Sequence, residues 1–218
     1  MNNIFQVLKL DHYTVKTSYP RIIMIYFISL FIGISTQPIV PIFMIMFFGV
    51  SISGLTFSII EKNSCEKIYG ILPIRRKQII IGRYLYGFIL GIINLIISVV
   101  LAYILAMFSQ QQTDSFILFF SITSAFCYYT FAVSVTYPIY YKFGFSKSYI
   151  FITIPLYLLI LLVVFISDKF NFNETISQLL IYFSNHYVLF LFCGLVLGMF
   201  MLIISAVISY CIFRNSEL

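Results

Sequence analysis

Charged residues are scarce in this chain, and their scarcity excludes a water-soluble fold. Only 9% of the 218 residues are charged and 61% are hydrophobic, whereas a soluble domain needs about 25% charged residues to cover its surface. Histidine is also rare, and the topology expected below puts His12 and His186 on opposite sides of a membrane, so they cannot share a metal. The four cysteines are widely spaced and indicate neither a disulfide framework nor a zinc site. We therefore expect a non-enzymatic membrane protein with no catalytic residue, no metal and no cofactor.

A nucleotide-binding loop is missing as well. Gly82 and Gly87 have the spacing of phosphate-loop glycines, but Phe88 and Ile89 follow where Lys and Ser or Thr are required. Any energy for transport would then have to come from a partner.

Long apolar runs, separated by short polar stretches, predict six transmembrane helices. The stretch from Ile22 to Ile60 carries no charge, and as one helix it would be roughly 58 Å long, about twice the hydrocarbon thickness. We therefore expect it to fold back near Pro38. The predicted spans are 22–36, 38–60, 78–108, 116–140, 149–167 and 187–213. The expected fold class is an all-α integral membrane protein with a single transmembrane domain, residues 1–218.

The basic residues predict the orientation of these spans. Cytoplasmic loops carry an excess of Lys and Arg, and an inside N-terminus leaves only Lys169, of thirteen Lys and Arg residues, on the outside. The net charge of +6 is then a topological signal, and no nucleic-acid partner is expected. Both termini are predicted to be cytoplasmic, in a cell membrane. Arg83, which is close to a span, is expected to snorkel to the inner interface.

Two amphipathic segments lie outside the predicted spans. Residues 1–20 fit an interfacial helix on the inner surface, although a disordered tail is an alternative. In the external segment 168–186, Asn171 and Glu174 have the spacing of a capping box before a helical apolar pattern. This pattern predicts a short external or re-entrant helix between the fifth and sixth spans.

Small and weakly polar residues recur at helical spacing along two of the spans. Such strips allow a second helix to approach closely. They predict packing within one bundle or, alternatively, a face between subunits. The predicted packing residues are Gly87, Gly91, Asn94 and Ser98 in the third span and Gly194 and Gly198 in the sixth.

The loop at residues 61–77 contains the most specific pattern. An apolar stripe at i, i+3, i+4 and i+7 predicts a short cytoplasmic amphipathic helix, ended by Pro73. From periodicity alone, this stripe could seat in a partner protein or lie in the headgroups. The residues assigned to the loop are Glu61, Cys65, Glu66, Ile68, Tyr69, Leu72 and Pro73, and the expected inner-interface anchors are Arg75, Arg76, Lys77 and Arg83.

This loop resembles that of the permease subunits of the ABC-2 family. The matching pattern is an acidic residue that closes the second span, an amphipathic turn, and Leu-Pro-x-x-Arg-Lys-x-Ile before a long third span. It is found here at Leu72, Pro73, Arg75 or Arg76, Lys77 and Ile79. An N-terminal Lys-Leu-Asp at residues 9–11 fits the same family, and the resemblance extends over essentially the whole chain.

The resemblance implies a half-transporter. Two permease chains, identical or different, would form the pathway, and two separate ATPase chains would bind the loop at residues 61–73. The composition resembles that of AT-rich bacteria, and the chain looks similar to permeases that export amphipathic peptides such as phenol-soluble modulins. The alternative is a non-transporting scaffold or a sensory or immunity subunit of a membrane complex.

Overall fold

The computed structural model describes residues 2–35, 37–62, 75–109, 115–150 and 187–215, and in these ranges the chain is helical with no strand. The helices are α1 (Asn2–Lys16), α2 (Tyr19–Ser35), α3 (Val40–Lys62), α4 (Arg76–Ser109), α5 (Ser115–Phe143) and α6 (Tyr187–Asn215). A further helix starts at residue 145 and is described as far as residue 150. The expectation of an all-α fold is confirmed for these ranges.

Four of these helices, α3 to α6, are long and apolar enough to cross a membrane, and the bent pair of α1 and α2 would raise the number to five. The predicted spans 38–60, 78–108, 116–140 and 187–213 fall on α3, α4, α5 and α6, and the predicted span 22–36 falls on α2. The predicted span 149–167 and the external helix at 168–186 lie outside the described residues, apart from residues 149 and 150. Six spans therefore remain a prediction.

The chain bends by 70° between α1 and α2. Pro20 lies in the first turn of α2, where its missing N–H costs no intrahelical hydrogen bond. The backbone carbonyl of Ser18 accepts hydrogen bonds from the N–H groups of Arg21 and Ile22, at 3.0 and 3.2 Å. Ser18 is therefore the residue from which α2 begins, and α2 is bent by 70° relative to α1.

The amphipathic α1 packs on the bundle through one face. Val7, Asp11 and Val15, which are four residues apart, are all buried. Val7 packs with Ile60 of α3 and Ile79 of α4. The helix is therefore part of the folded bundle, with its remaining sides exposed.

Packing is most extensive between α5 and α6, followed by that of α3 against α4 and against α5. At the centre, Tyr129 and Tyr137 of α5 are buried, together with Ile42 and Met46 of α3. The α5 helix thus contributes much of the aromatic core, and it packs against α3, α4 and α6.

Candidate functional site

The end of the bundle at which α3, α5 and α6 finish and α4 begins carries most of the described basic residues, and we call it the basic end. Its basic side chains are Lys62, Arg75, Arg76, Lys77, Lys142, Lys147 and Arg214. The predicted coupling loop joins α3 to α4 at this end. Of the residues assigned to that loop, Cys65, Glu66, Ile68, Tyr69, Leu72 and Pro73 lie outside the described residues.

Glu61, the residue before the last of α3, binds the turn that follows α5. Its Oε2 accepts hydrogen bonds from the backbone N–H groups of Phe145, at 2.6 Å, and Ser146, at 3.0 Å. These N–H groups belong to the first turn of the next helix and have no partner within that helix, and a negative charge also complements the helix dipole there. Gly144, with φ of 76°, makes the tight turn between the two helices. The carboxylate therefore ties the end of α3 to this turn.

Arg76, the first residue of α4, binds the end of α6. Its Nη1 donates hydrogen bonds to the backbone carbonyls of Phe213, at 3.1 Å, and Arg214, at 3.2 Å. The guanidinium also lies 5.7 Å from the centroid of the Phe213 ring. Carbonyls in the last turn of a helix have no intrahelical donor, so a cation there satisfies both their hydrogen bonding and the helix dipole.

Both flanks of the predicted coupling loop are thus fastened to other helices. The α3 flank is bound to the turn after α5 through Glu61, and the α4 flank is bound to the C-terminal end of α6 through Arg76. A displacement of the loop would therefore move four elements of the bundle together. The spacing of charges in the sequence does not indicate either contact, because both join residues more than 80 positions apart.

Arg83 is buried, with 7% of its surface exposed. Its guanidinium lies 4.7 Å from the centroid of the Phe57 ring and 5.6 Å from that of Tyr141. This position differs from the snorkelling side chain that we expect from the sequence. The physical reason is that aromatic rings of α3 and α5 cover the guanidinium, while Val7 of α1 lies against the neighbouring Gly82.

Asp11 brings a carboxylate to the same buried region. It is 0% exposed and lies one helical turn after Val7, which contacts Gly82 beside Arg83. Opposite charges in a low-dielectric interior attract strongly, which reduces the free-energy cost of burying each of them. Charged side chains of α1 and α4 are therefore buried in this part of the bundle.

The predicted packing strip of α4 faces other helices of the same chain. A Cβ added at Gly87 would lie 2.5 Å from the hydroxyl of Tyr137, and one at Gly91 would collide with the Tyr129 ring. The Tyr129 hydroxyl donates a 2.6 Å hydrogen bond to the carbonyl of Gly87. Glycine at these positions therefore lets two tyrosine rings of α5 approach α4 closely.

The rest of that strip and the strip of α6 are also turned inward. Asn94 is buried, and its Oδ1 accepts a 2.6 Å hydrogen bond from the Tyr26 hydroxyl of α2, while Ser98 is buried too. In α6, a Cβ at Gly194 would meet Thr123, and one at Gly198 would lie 2.8 Å from Oγ1 of Thr130. The described geometry thus uses both strips inside one chain.

A hydrogen-bonded chain that we did not predict joins α4, α5 and α6. Pro138 in α5 has no N–H, which leaves the carbonyl of Ser134 without its usual helical donor. Ser205 of α6 supplies one, because its Oγ donates to that carbonyl at 2.6 Å. The Tyr84 hydroxyl of α4 lies 2.6 Å from Oγ of Ser205 and 2.7 Å from Oγ of Ser209. The proline inside an apolar run is the sequence signal that could have indicated this site.

The comparison with protein families identifies the chain. A family model described as ABC-2 family transporter protein matches residues 6–214, nearly the whole chain, in agreement with the resemblance noted from the loop. The comparisons with curated proteins and with solved structures gave no match. The chain belongs to the ABC-2 family of transporter proteins.

Proposed function

We propose that this chain is the permease subunit of an ABC exporter in a bacterial cell membrane, and that separate ATPase subunits drive it through the loop at residues 61–77. Membership of the ABC-2 family supports a membrane-embedded permease subunit of an ABC transporter. To this family assignment we add three proposals, which concern the direction of transport, the contact with the ATPase and the substrate.

The proposal rests on the hydrogen bonds that attach both ends of the loop to other helices of the bundle. Glu61 and Arg76 bind the turn after α5 and the end of α6 through four hydrogen bonds of 2.6 to 3.2 Å. A loop that only connected two helices would not need such contacts. Because the flanks move with the bundle, a force that an ATPase applies to the loop would reach α3, α4, α5 and α6 together.

The distribution of charge supports a cytoplasmic position for this loop. Lys and Arg residues of several helix ends collect at the basic end of the bundle, and such an excess is typical of the cytoplasmic side. An ATPase subunit, which needs cytoplasmic ATP, would meet the permease there. We propose that both termini and the coupling loop lie on this side.

For the pathway and the substrate, the proposal rests on the resemblance to peptide exporters. A second permease chain, identical or different, would complete the pathway, and amphipathic peptides would be the substrates. The alternative, a scaffold that does not transport, predicts neither ATPase binding nor export.

The test is to disrupt the apolar stripe of the loop. Replacing Ile68 with Ser and Tyr69 with Ala should release the ATPase or uncouple its hydrolysis from export, because aromatic side chains at interface centres commonly contribute about 2 kcal/mol or more. The amount of inserted permease should stay normal. The measurements are co-purification of the co-expressed ATPase and export of peptide from intact cells.

A matched control is available on α4, where the same two residue types are adjacent. Tyr103 and Ile104 are 60% and 40% exposed and lie at the opposite end of α4 from the loop. Tyr103→Ala with Ile104→Ser should leave ATPase binding and export unchanged. Undiminished binding and export in the Ile68 and Tyr69 variant would refute the coupling role, and a permease that never retains an ATPase would favour the scaffold.

A further inference from the structure

In the part of the chain that the structure describes, an open apolar groove runs between α4 and α6. It encloses about 630 Å³. Each helix contributes one continuous face to it, at positions i, i+3, i+4, i+7, i+8 and i+11. The lining residues are Lys77, Ile80, Ile81, Tyr84, Leu85 and Phe88 of α4 and Met199, Leu202, Ile203, Ala206, Val207 and Tyr210 of α6.

The groove has a buried floor and an exposed rim. Leu202, in the floor, is 8% exposed, whereas Ile203, on the rim, is 63% exposed. The hydroxyl of Tyr84, one of the two in the lining, is hydrogen-bonded to Ser205 and Ser209, which do not line the groove. The accessible walls are therefore suited to a hydrocarbon chain.

The length of the groove matches one leaflet of a bilayer. Its α4 face extends over eleven residue steps from Lys77 to Phe88, which corresponds to about 16 Å at 1.5 Å per residue. The hydrocarbon core of a bilayer is about 30 Å thick, so one leaflet contributes roughly 15 Å. A helix of a second copy would cross both leaflets, whereas a lipid acyl chain occupies only one.

The charge is placed at one end of the groove. Lys77 lies at the basic end of the bundle, and Arg214 at the end of α6 is exposed nearby, next to the carbonyls that Arg76 binds. The opposite end, at Phe88 and Met199, carries no charge. A phospholipid has the same arrangement, with a charged headgroup at the surface and a chain that ends near the middle of the bilayer.

We propose that this groove is a binding site for one anionic phospholipid of the leaflet at the basic end. The headgroup phosphate binds the Lys77 ammonium, and one acyl chain lies between α4 and α6. The site is more specific than general headgroup anchoring because it holds a single lipid in a defined position. It does not depend on the proposed exporter function.

The test uses native mass spectrometry of the purified chain with phosphatidylglycerol and, separately, phosphatidylcholine. We expect one retained phosphatidylglycerol per chain and weaker retention of phosphatidylcholine. Lys77→Gln should lower the affinity for phosphatidylglycerol about fivefold, because one basic residue near an anionic surface contributes about 1 kcal/mol. Ala206→Phe should fill the groove and reduce the retention of both lipids.

Two controls separate binding from misfolding. Lys142→Gln removes a charge from the same end of the bundle but outside the groove, and Val196→Phe enlarges an exposed α6 residue outside it. Both should retain the lipid as the wild type does. Equal retention of the two lipids by the wild type, or unchanged retention in Lys77→Gln and Ala206→Phe, would overturn the proposal. Efficient disulfide cross-linking of two copies through Val207→Cys would do so too, because a second copy would then cover the groove.

Discussion

The contact between Gly91 and Tyr129 can be tested with Gly91→Ala. The sign of the change in the free energy of unfolding shows whether the two helices pack closely at this point. Alanine is favoured over glycine in a helix interior by roughly 0.5–1 kcal/mol. Without a steric conflict, Gly91→Ala should therefore stabilise the protein slightly. In the structure, however, the new Cβ would lie well under 3.0 Å from the Tyr129 ring, which is 0% exposed. We therefore expect destabilisation instead.

The magnitude follows from two costs. Overpacking a well-packed interior costs about 1–3 kcal/mol. If the ring moves, its hydroxyl loses the 2.6 Å hydrogen bond to the Gly87 carbonyl, and a buried hydroxyl without a partner costs about 1–3 kcal/mol more. Because the gain in helix propensity of roughly 0.5–1 kcal/mol offsets part of these costs, Gly91→Ala should lower the free energy of unfolding by about 1–5 kcal/mol. That is a large share of a typical total of about 5–15 kcal/mol.

The assay is unfolding of the purified protein in mixed micelles, followed by circular dichroism as the denaturing detergent increases. Ile92→Ala is the neighbouring control, because Ile92 is 38% exposed and should cost less than about 1 kcal/mol. A second substitution, Tyr129→Leu, removes the ring edge, so it should cost less in the Gly91→Ala background than in the wild type. A stability of Gly91→Ala equal to or above that of the wild type, or strict additivity with Tyr129→Leu, would refute the packing argument.

Three further predictions concern the hydrogen bonds and the topology. Tyr84→Phe should lower the free energy of unfolding by about 1–3 kcal/mol because it removes the hydrogen-bond partner of the buried Ser209 hydroxyl, and the same unfolding assay should show the loss; an unchanged midpoint would contradict the hydrogen-bonded chain. Glu61→Ala should lower the free energy of unfolding by about 1.5–3 kcal/mol, since charge-assisted hydrogen bonds are lost. The stability of Glu61→Gln should fall between those of Glu61→Ala and the wild type. Equal stabilities of all three proteins would show that the hydrogen bonds of Glu61 to the turn after α5 contribute nothing. In an otherwise cysteine-free chain, a cysteine at Asn171 should react with an impermeant thiol reagent in intact cells and Cys65 should not; external labelling of Cys65 would reverse the proposed orientation.

Much of the architecture could be predicted because the requirements of folding in a membrane are visible in the sequence. Apolar runs of sufficient length must become helices in lipid, since each backbone polar group needs an internal partner there. That constraint alone places four spans on α3 to α6. The small-residue strips could be found in the same way, because helical spacing puts Gly87, Gly91 and Asn94 on one face whatever that face contacts. The loop motif, finally, was sufficient to indicate the ABC-2 family.

Only the tertiary structure decided which partners these features have. The strips could have faced another subunit, and it is the packing of α5 that brings Tyr129 and Tyr137 against the α4 glycines. Arg83 is buried against Phe57 of α3 and Tyr141 of α5, which no local pattern reveals. Glu61 and Arg76 find their partners 84 and 137 positions away. Periodicity determines which residues share a face of a helix, whereas the contacts of that face depend on how all the helices fill space together, and this is a property of the assembled bundle.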